Sequence, residues 1–205
     1  VVNNAGLVPW RVKGGFIKSV NQFYNKERAR LTSLSAQQGL TSQTRRIQRL
    51  QLKRTNKIAD VFHKVSRRVI EYCLVNDFGT IVIGYNKMWK QRSGLGQRNN
   101  QNFVSVPFLK LVQKIHYKAA IVGIEVIMID EGHTSKLSFI DGEEIKHHQT
   151  YVGKRVCRGL FQTSNGVIMN ADVNGAYNIG RKAVPEAFAV DGIEGVGLHP
   201  DSVTV

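Results

Sequence analysis

The sequence predicts an α/β fold with a mixed sheet flanked by helices, and three observations carry that expectation. Two short apolar runs, "GTIVIGY" at 79–85 and "GIEVIMIDE" at 123–131, read as strands. A helical pattern over about 104–122 lies between them, making a strand–helix–strand unit and hence a parallel pair. Upstream, a stretch free of Pro and Gly over 42–76 carries apolar residues at steps of three or four, the mark of an amphipathic helix.

The elements follow in order. The opening "VVNNAGLVPWRVKGG" has two short apolar patches around an Asn-Asn-Ala-Gly turn signal, which predicts a hairpin ending near Gly14 and Gly15. Residues 16–34 turn helical, with Ile17, Val20, Phe23 and Tyr24 on one side, until "SAQQGLTSQ" breaks the pattern. The long helix over 42–76 has an apolar face of Ile47, Leu50, Ile58, Val61, Val65, Val69 and Cys73. Its opposite face carries Arg45, Arg46, Arg49, Lys53, Arg54, Lys57, Lys64, Arg67 and Arg68. "GTIVIGY" is continuously apolar, the pattern of a strand buried on both faces. A polar loop, "NKMWKQRSGLGQRNNQ", leads to the next helix, with Pro107 in its first turn. Residues 142–164 are polar without a clear period and read as an insertion or loop. The chain finishes with a helix starting near Asp172 and a Gly-rich tail, "DGIEGVGLHPDSVTV". This order fits a ribonuclease-H-like arrangement and several others.

Composition narrows the function. A length of 205 residues allows one domain with a proper core, and a formal net charge of +14 points to a polyanion, nucleic acid first. Cys73 and Cys157 lie far apart among different neighbours, so no disulfide framework is implied and a reducing cytoplasm, in association with the nucleoid, fits best. The longest apolar run, 119–129, is short and carries Glu125, so no membrane span is expected.

Two carboxylates are candidates for chemistry. Glu131 ends the "GIEVIMIDE" strand, and in open α/β sheets ligands bind beyond the carboxyl ends of strands. Asp172 opens the last helix, flanked by Asn170 and Asn174. Hard divalent cations take oxygen ligands, so the pair suits Mg2+. Two-metal phosphodiester cleavage calls for three or more acids, and two is one too few. The competing reading is that Glu131 is a solvated strand end and Asp172 a first-turn helix cap. Asp130 faces the other way on the strand. The long helix has a competing reading too, as a merely solvated face, but Asp60 is its lone acid between Arg45 and Arg68. Like charges at helical spacing repel, which favours a phosphate-bearing partner. Trp89, Lys90, Arg92 and Arg98 of the polar loop add stacking and phosphate contacts, with Asn99 and Asn100 for polar ones. Cys157 has no partner at zinc-site spacing and His147 and His148 are adjacent, so no zinc is expected.

Four stretches, "NADVNGAYNIGRKAV", "GIEVIMIDEGHTSKLSFID", "TIVIGYNKMWKQ" and "GKRVCRGLF", together closely resemble the carboxy-terminal half of the OrfB/TnpB family of transposon-encoded, RNA-guided nucleases, relatives of type V CRISPR effectors. The resemblance covers nearly the whole chain. It implies a RuvC-like nuclease domain of ribonuclease-H-like fold over 1–188, with 189–205 as a tail. It further implies DNA and a guide RNA as partners, and Mg2+ (or Mn2+) held by three acids.

The family's last acid sits in its "DVNGAxNI" motif, which matches Asp172, and this favours the metal over the cap. The family's middle Glu commonly ends the first of these strands, where Gly84 stands here. In one branch it precedes "TSK" instead, and Glu131 matches that place. Ser135 and Lys136 of "TSK" join Arg45, Arg46, Arg49, Lys53, Lys57, Lys64, Arg67, Trp89, Lys90 and Arg98 as expected nucleic-acid contacts. Leu137 and Ser138 follow where the family has ribbon cysteines, so an insert over about 137–168 replaces the zinc ribbon. The first acid, in a "DLG" strand, is expected upstream of Val1, leaving the first strand truncated and this chain a weak or inactive nuclease by itself. The rival expectation is a non-catalytic, RNA-guided DNA-binding protein in which the acids are remnants.

Overall fold

The computed structural model describes residues 1–40, 44–85, 106–188 and 197–204. Its architecture is mixed α/β, and the chain divides into two compact units. The first is assembled from 1–12, 79–88 and 124–204, the second from 13–78 and 89–123.

The second unit is helical: α1 (Gly15–Gln37), α2 (Arg45–Val75) and α3 (Phe108–Ile121). α2 runs for 31 residues because nothing in it interrupts the helix, and both ends are capped. Thr44, in extended conformation, accepts the Ile47 N–H on its hydroxyl at 3.4 Å. At the other end Phe78 N–H returns to the Cys73 carbonyl (2.8 Å) and Asp77 N–H to Leu74 (3.4 Å), with Asp77 left-handed at φ 56°. That is a Schellman stop made on Asp instead of Gly, and the Phe78 ring packs 5.8 Å from Tyr72 as its apolar contact. α1 ends the same way on Gly39 (φ 69°). Val20 of α1, Ile58 and Phe62 of α2 and Val106 form the core, with Ile17, Phe108 and Leu111 against it. The apolar face expected of α2 is present, with Leu50 and Val65 only half-buried and Phe62 and Ile70 buried in addition. Arg54 leaves the basic face: its guanidinium donates to Asn21 Oδ1 at 2.7 Å and lies 5.0 Å over the Tyr24 ring, tying α2 to α1.

The first unit carries the strands. The single mixed sheet expected from sequence is, among the described residues, three small ones. β2 (Thr80–Tyr85) and β3 (Glu125–Asp130) form the expected parallel pair, with Thr80 opposite Glu125 and Tyr85 opposite Asp130. β2 is half-buried, not buried on both faces, because β3 is its one paired neighbour among the described residues. The opening hairpin does not form as expected. Only β1 (Trp10–Val12) becomes a strand there, and it pairs in parallel with β7 (Asp201–Val203) from the Gly-rich tail. The Asn-Asn-Ala-Gly turn does form, with Asn3 Oδ1 accepting from Ala5 and Leu7 N–H, both at 3.0 Å.

The stretch expected as an insertion or loop carries strands of its own. β4 (Lys154–Cys157), β5 (Leu160–Gln162) and β6 (Ile168–Asn170) make a three-stranded antiparallel sheet. These strands are too short for their alternation to show in the sequence. β6 runs directly into α4 (Ala171–Ala183), which a single 3-10 turn, Pro185–Phe188, follows. Phe139, Phe161, Met169, Ala171, Val173 and Tyr177 form the core, and the Phe139 and Tyr177 rings stack at 4.9 Å. Leu198 packs on this core and its carbonyl accepts the Asn170 N–H at 2.8 Å, so residues 197–204 are tied to the unit. Asn170 Oδ1 caps α4 by accepting from Asp172 N–H (3.0 Å) and Val173 N–H (3.2 Å). Asn170→Ala is therefore expected to cost about 1 kcal/mol, read as a lowered urea midpoint at unchanged slope.

Candidate functional site

The carboxylate region of the first unit is built where α4 meets the chain leaving β3. The last turn of α4 touches the strand ends. Ile179 lies where a Cβ on Gly84 would stand, 2.6 Å from it, and Lys182 Nζ donates to the carbonyls of Asp130 (2.8 Å) and Gly132 (3.3 Å). Residues 132–139 then run back along α4 toward its start. Asn178 Nδ2 donates to the carbonyls of Thr134 (3.0 Å) and Leu137 (2.9 Å). Asn174 Nδ2 donates to Leu137 O at 2.7 Å, and its Oδ1 accepts the Phe139 N–H at 3.0 Å. Both Asn side chains are fully buried.

On this frame Glu131 is half-buried directly after β3, and its carbonyl accepts from Thr134 N–H (3.2 Å) and Oγ1 (2.8 Å). The tight turn this makes places His133 at φ 69°. Asp172 stands exposed in the first turn of α4, almost three turns and ~15 Å of rise before Lys182. Its sequence reading as the cap is corrected, since Asn170 supplies the side-chain cap. Among the described residues no hydrogen bond or ion pair engages the Asp172 carboxylate. Asp130, by contrast, is used by the turn: its carboxylate accepts the Gly132 N–H at 3.0 Å and lies 3.9 Å from Lys182. Among the described residues, no group of three or more His, Cys, Asp or Glu is placed to hold a metal ion. Each carboxylate has the donor chemistry Mg2+ takes, one or two protein carboxylates completed by water and substrate phosphates. Lys182, however, holds the chain around Glu131 at the last turn of α4 while Asp172 stands in its first, so the structure does not bring the two together on one ion. Ser135 and Lys136 are exposed on the same segment, with the Lys136 ammonium 5.7 Å from the Tyr151 ring. Cys157 is a free, exposed thiol in β4.

The basic face belongs to the second unit. Arg45, Arg46, Arg49, Lys53 and Lys57 are exposed on α2, with no ion-pair partner among the described residues. Lys64 and Arg67 are exposed but paired, with Asp60 at 2.9 Å and Glu71 at 2.6 Å. Trp89, Lys90, Arg92, Arg98, Asn99 and Asn100 lie outside the described residues.

Sequence reasoning missed the residues that position this region. Asn174 and Asn178 recur at i, i+4 on the same side as Val173 and Tyr177, and a polar pair on a buried face was the available signal. Glu143 is buried as a brace, its carboxylate accepting from Ser138 N–H (2.8 Å) and Val152 N–H (3.0 Å). Arg181 adds a donation to the Glu143 carbonyl at 2.5 Å.

Residues 8–90 match the family model OrfB_IS605, described as "Probable transposase", and residues 108–179 match the model "Cas12f1-like, TNB domain". Among solved structures the chain is similar to one described as "Cryo-EM structure of the Cas12f1-sgRNA-target DNA complex", at 17% sequence identity and a TM-score of 0.52. The likeness covers 79% of this chain and 42% of that one, so the chain spans less than half the length of the protein it resembles. At that identity the likeness speaks to the fold. A comparison with curated proteins gives no match. Among the described residues no helix is long and apolar enough to cross a membrane. With one family model on its first part and a second on its later part, the matches support a TnpB-like relative of the type V effectors.

Proposed function

We propose that this chain is the RuvC-like, ribonuclease-H-like part of a TnpB-type RNA-guided DNA endonuclease. In this reading it holds nucleic acid on α2, and Glu131 and Asp172 take part in holding Mg2+ or Mn2+. The observation that carries the reading is the exposed α2 face, where five cations stand on one helix with no ion pair among the described residues, Glu27 of α1 acting on Arg46 only at longer range. Such a face gives affinity through phosphates and counterion release, independent of base sequence. The similar structure is of a protein in complex with guide RNA and target DNA, which supports both partners here. A bound ion would supply Lewis-acid stabilisation of the attacking and leaving oxygens of the phosphodiester. The chain's own residues do the positioning: Asn174 and Asn178 lock α4 to 134–139, and Lys182 fixes the backbone on either side of Glu131. The sheet over 154–170 stands in the place of the family's zinc ribbon.

Binding of labelled single-stranded DNA and RNA, followed by anisotropy across a salt series, tests the central part of this reading. Replacing Arg45, Arg49, Lys53 and Lys57 with Gln is expected to reduce the slope of log K against log salt by about 3. At 0.1 M salt the affinity falls several hundredfold, from ~0.7 counterions released per contact on a single strand. A slope unchanged by the four substitutions sinks the assignment of this face.

A further inference from the structure

Away from the surfaces described above, α2 and α3 gather a cluster of cations where they pack. Ser66 of α2 and Ala119 of α3 are fully buried, small residues that permit close approach of the helices. Lys114 Nζ lies 2.6 Å from His63 Nε2, and Lys118 Nζ donates to the His63 carbonyl and to Ser66 Oγ, both at 2.8 Å. An ammonium group only donates, so Nε2 is the acceptor and the ring proton sits on Nδ1. Two lysines thus converge on one residue, Lys114 on its imidazole and Lys118 on its backbone carbonyl.

The charged groups facing His63 are Lys114 and Lys118 from α3 and Asp60 from its own helix, while Lys118 also feels Arg67 and Glu71. Both acids have nearer partners, Asp60 in Lys64 and Glu71 in Arg67. Desolvation first, then Lys114 and Lys118, holds the His63 imidazole below its ordinary range, with Asp60 opposing. Desolvation, Lys114 and Arg67 lower Lys118 in the same way, with Glu71 opposing. Positive charge is crowded here beyond what the carboxylates neutralise, and an arriving anion relieves it. A phosphate oxygen takes the Lys114 N–H now given to His63. The freed Nε2 then accepts a proton from solvent and donates it toward a second phosphate oxygen.

We propose that His63, Lys114 and Lys118 form a contact point for a nucleic-acid phosphodiester, at which His63 gains a proton as the phosphate arrives. This rests on the nucleic-acid reading above and adds to it a second helix and a pH dependence. The sign follows from the linkage. Phosphate raises the His63 pKa in the complex, so binding tightens as pH falls through that value and levels off below the pKa of the free protein.

The test uses the 205-residue chain and a labelled single-stranded DNA, with anisotropy read at fixed ionic strength over pH 5–8.5 and again across a salt series. Lys114→Gln is expected to weaken binding about fivefold at 0.1 M salt and to lower the salt slope by about 0.7. Lys114→Arg, which keeps the charge, retains the slope and guards against a folding defect. His63→Gln, which keeps an acceptor for Lys114, flattens the component of the pH profile near neutrality. The His63 ring resonance is followed by NMR while the same DNA, or inorganic phosphate at equal phosphate concentration, is added, with the larger shift expected for DNA. If the wild-type chain binds no polynucleotide with a salt slope, the nucleic-acid reading falls and this contact with it. If it binds but both Gln variants match wild type, the contact alone is overturned. An equal response to inorganic phosphate also overturns it, leaving a small-anion site.

Discussion

Asn174→Leu is expected to destabilise the first unit by about 2–4 kcal/mol, because the substitution strands the buried Phe139 N–H without its acceptor. Leu137 O keeps its bond from Asn178, so its loss is partial. Leucine is close to asparagine in size and a better helix former, so neither a cavity nor propensity accounts for a loss of this magnitude. Asn174→Asp separates the two halves of the effect: it preserves the acceptor for Phe139 N–H but loses the donor to Leu137 O and buries a charge. Urea unfolding followed through signals of the first unit measures both variants. A change below about 0.5 kcal/mol for Asn174→Leu contradicts the brace.

Asp172→Ala is expected to have the opposite profile, a small structural effect and a large functional one. Its carboxylate is exposed and the cap is Asn170, so stability falls only by the lost helix-terminus interaction, about 0.3–1 kcal/mol. If it holds the metal as proposed above, the form extended by an upstream Asp is expected to lose cleavage by more than about a hundredfold. Asp172→Asn keeps the shape and removes the charge, and should behave like Ala in cleavage and in its small loss of stability. If Asp172→Ala unfolds the unit as severely as Asn174→Leu, the residue is structural.

The parts of this molecule that were legible in its sequence are those with a long or strict period. α2 announced itself because 31 residues without Gly or Pro carry one apolar and one cationic stripe, and β2 and β3 because their apolar runs flank a helix that forces parallel pairing. Arg54 was misplaced because helical spacing does not distinguish an Arg in solvent from one packed over Tyr24. β1 was read as half of a hairpin since its partner, Asp201–Val203, is nearly two hundred residues away and no local pattern encodes such a pairing. β4, β5 and β6 are three or four residues each, too short to alternate visibly, and their core residues Phe161 and Met169 looked like isolated apolar positions. At the candidate site the sequence marked the carboxylates by chemistry and by resemblance. Asn174 and Asn178 were read as motif letters, since their buried partners are backbone groups of another segment. The capping role that competes with the metal reading of Asp172 belongs to Asn170, two residues earlier: both are good caps, and only backbone geometry chooses between them.

The measurement that tests the functional claim most directly is Mg2+-dependent cleavage of labelled single-stranded DNA. It is made with this chain alone and with the chain preceded by a segment supplying an Asp from a "DLG"-like strand, each as wild type and as Asp172→Ala. The account predicts that the extended wild-type form cuts in Mg2+ and not in EDTA, and that its Asp172→Ala variant binds DNA equally well and does not cut. An extended form that binds DNA with a steep salt dependence but never cuts, with or without a guide RNA, contradicts the nuclease and leaves a non-catalytic nucleic-acid-binding protein.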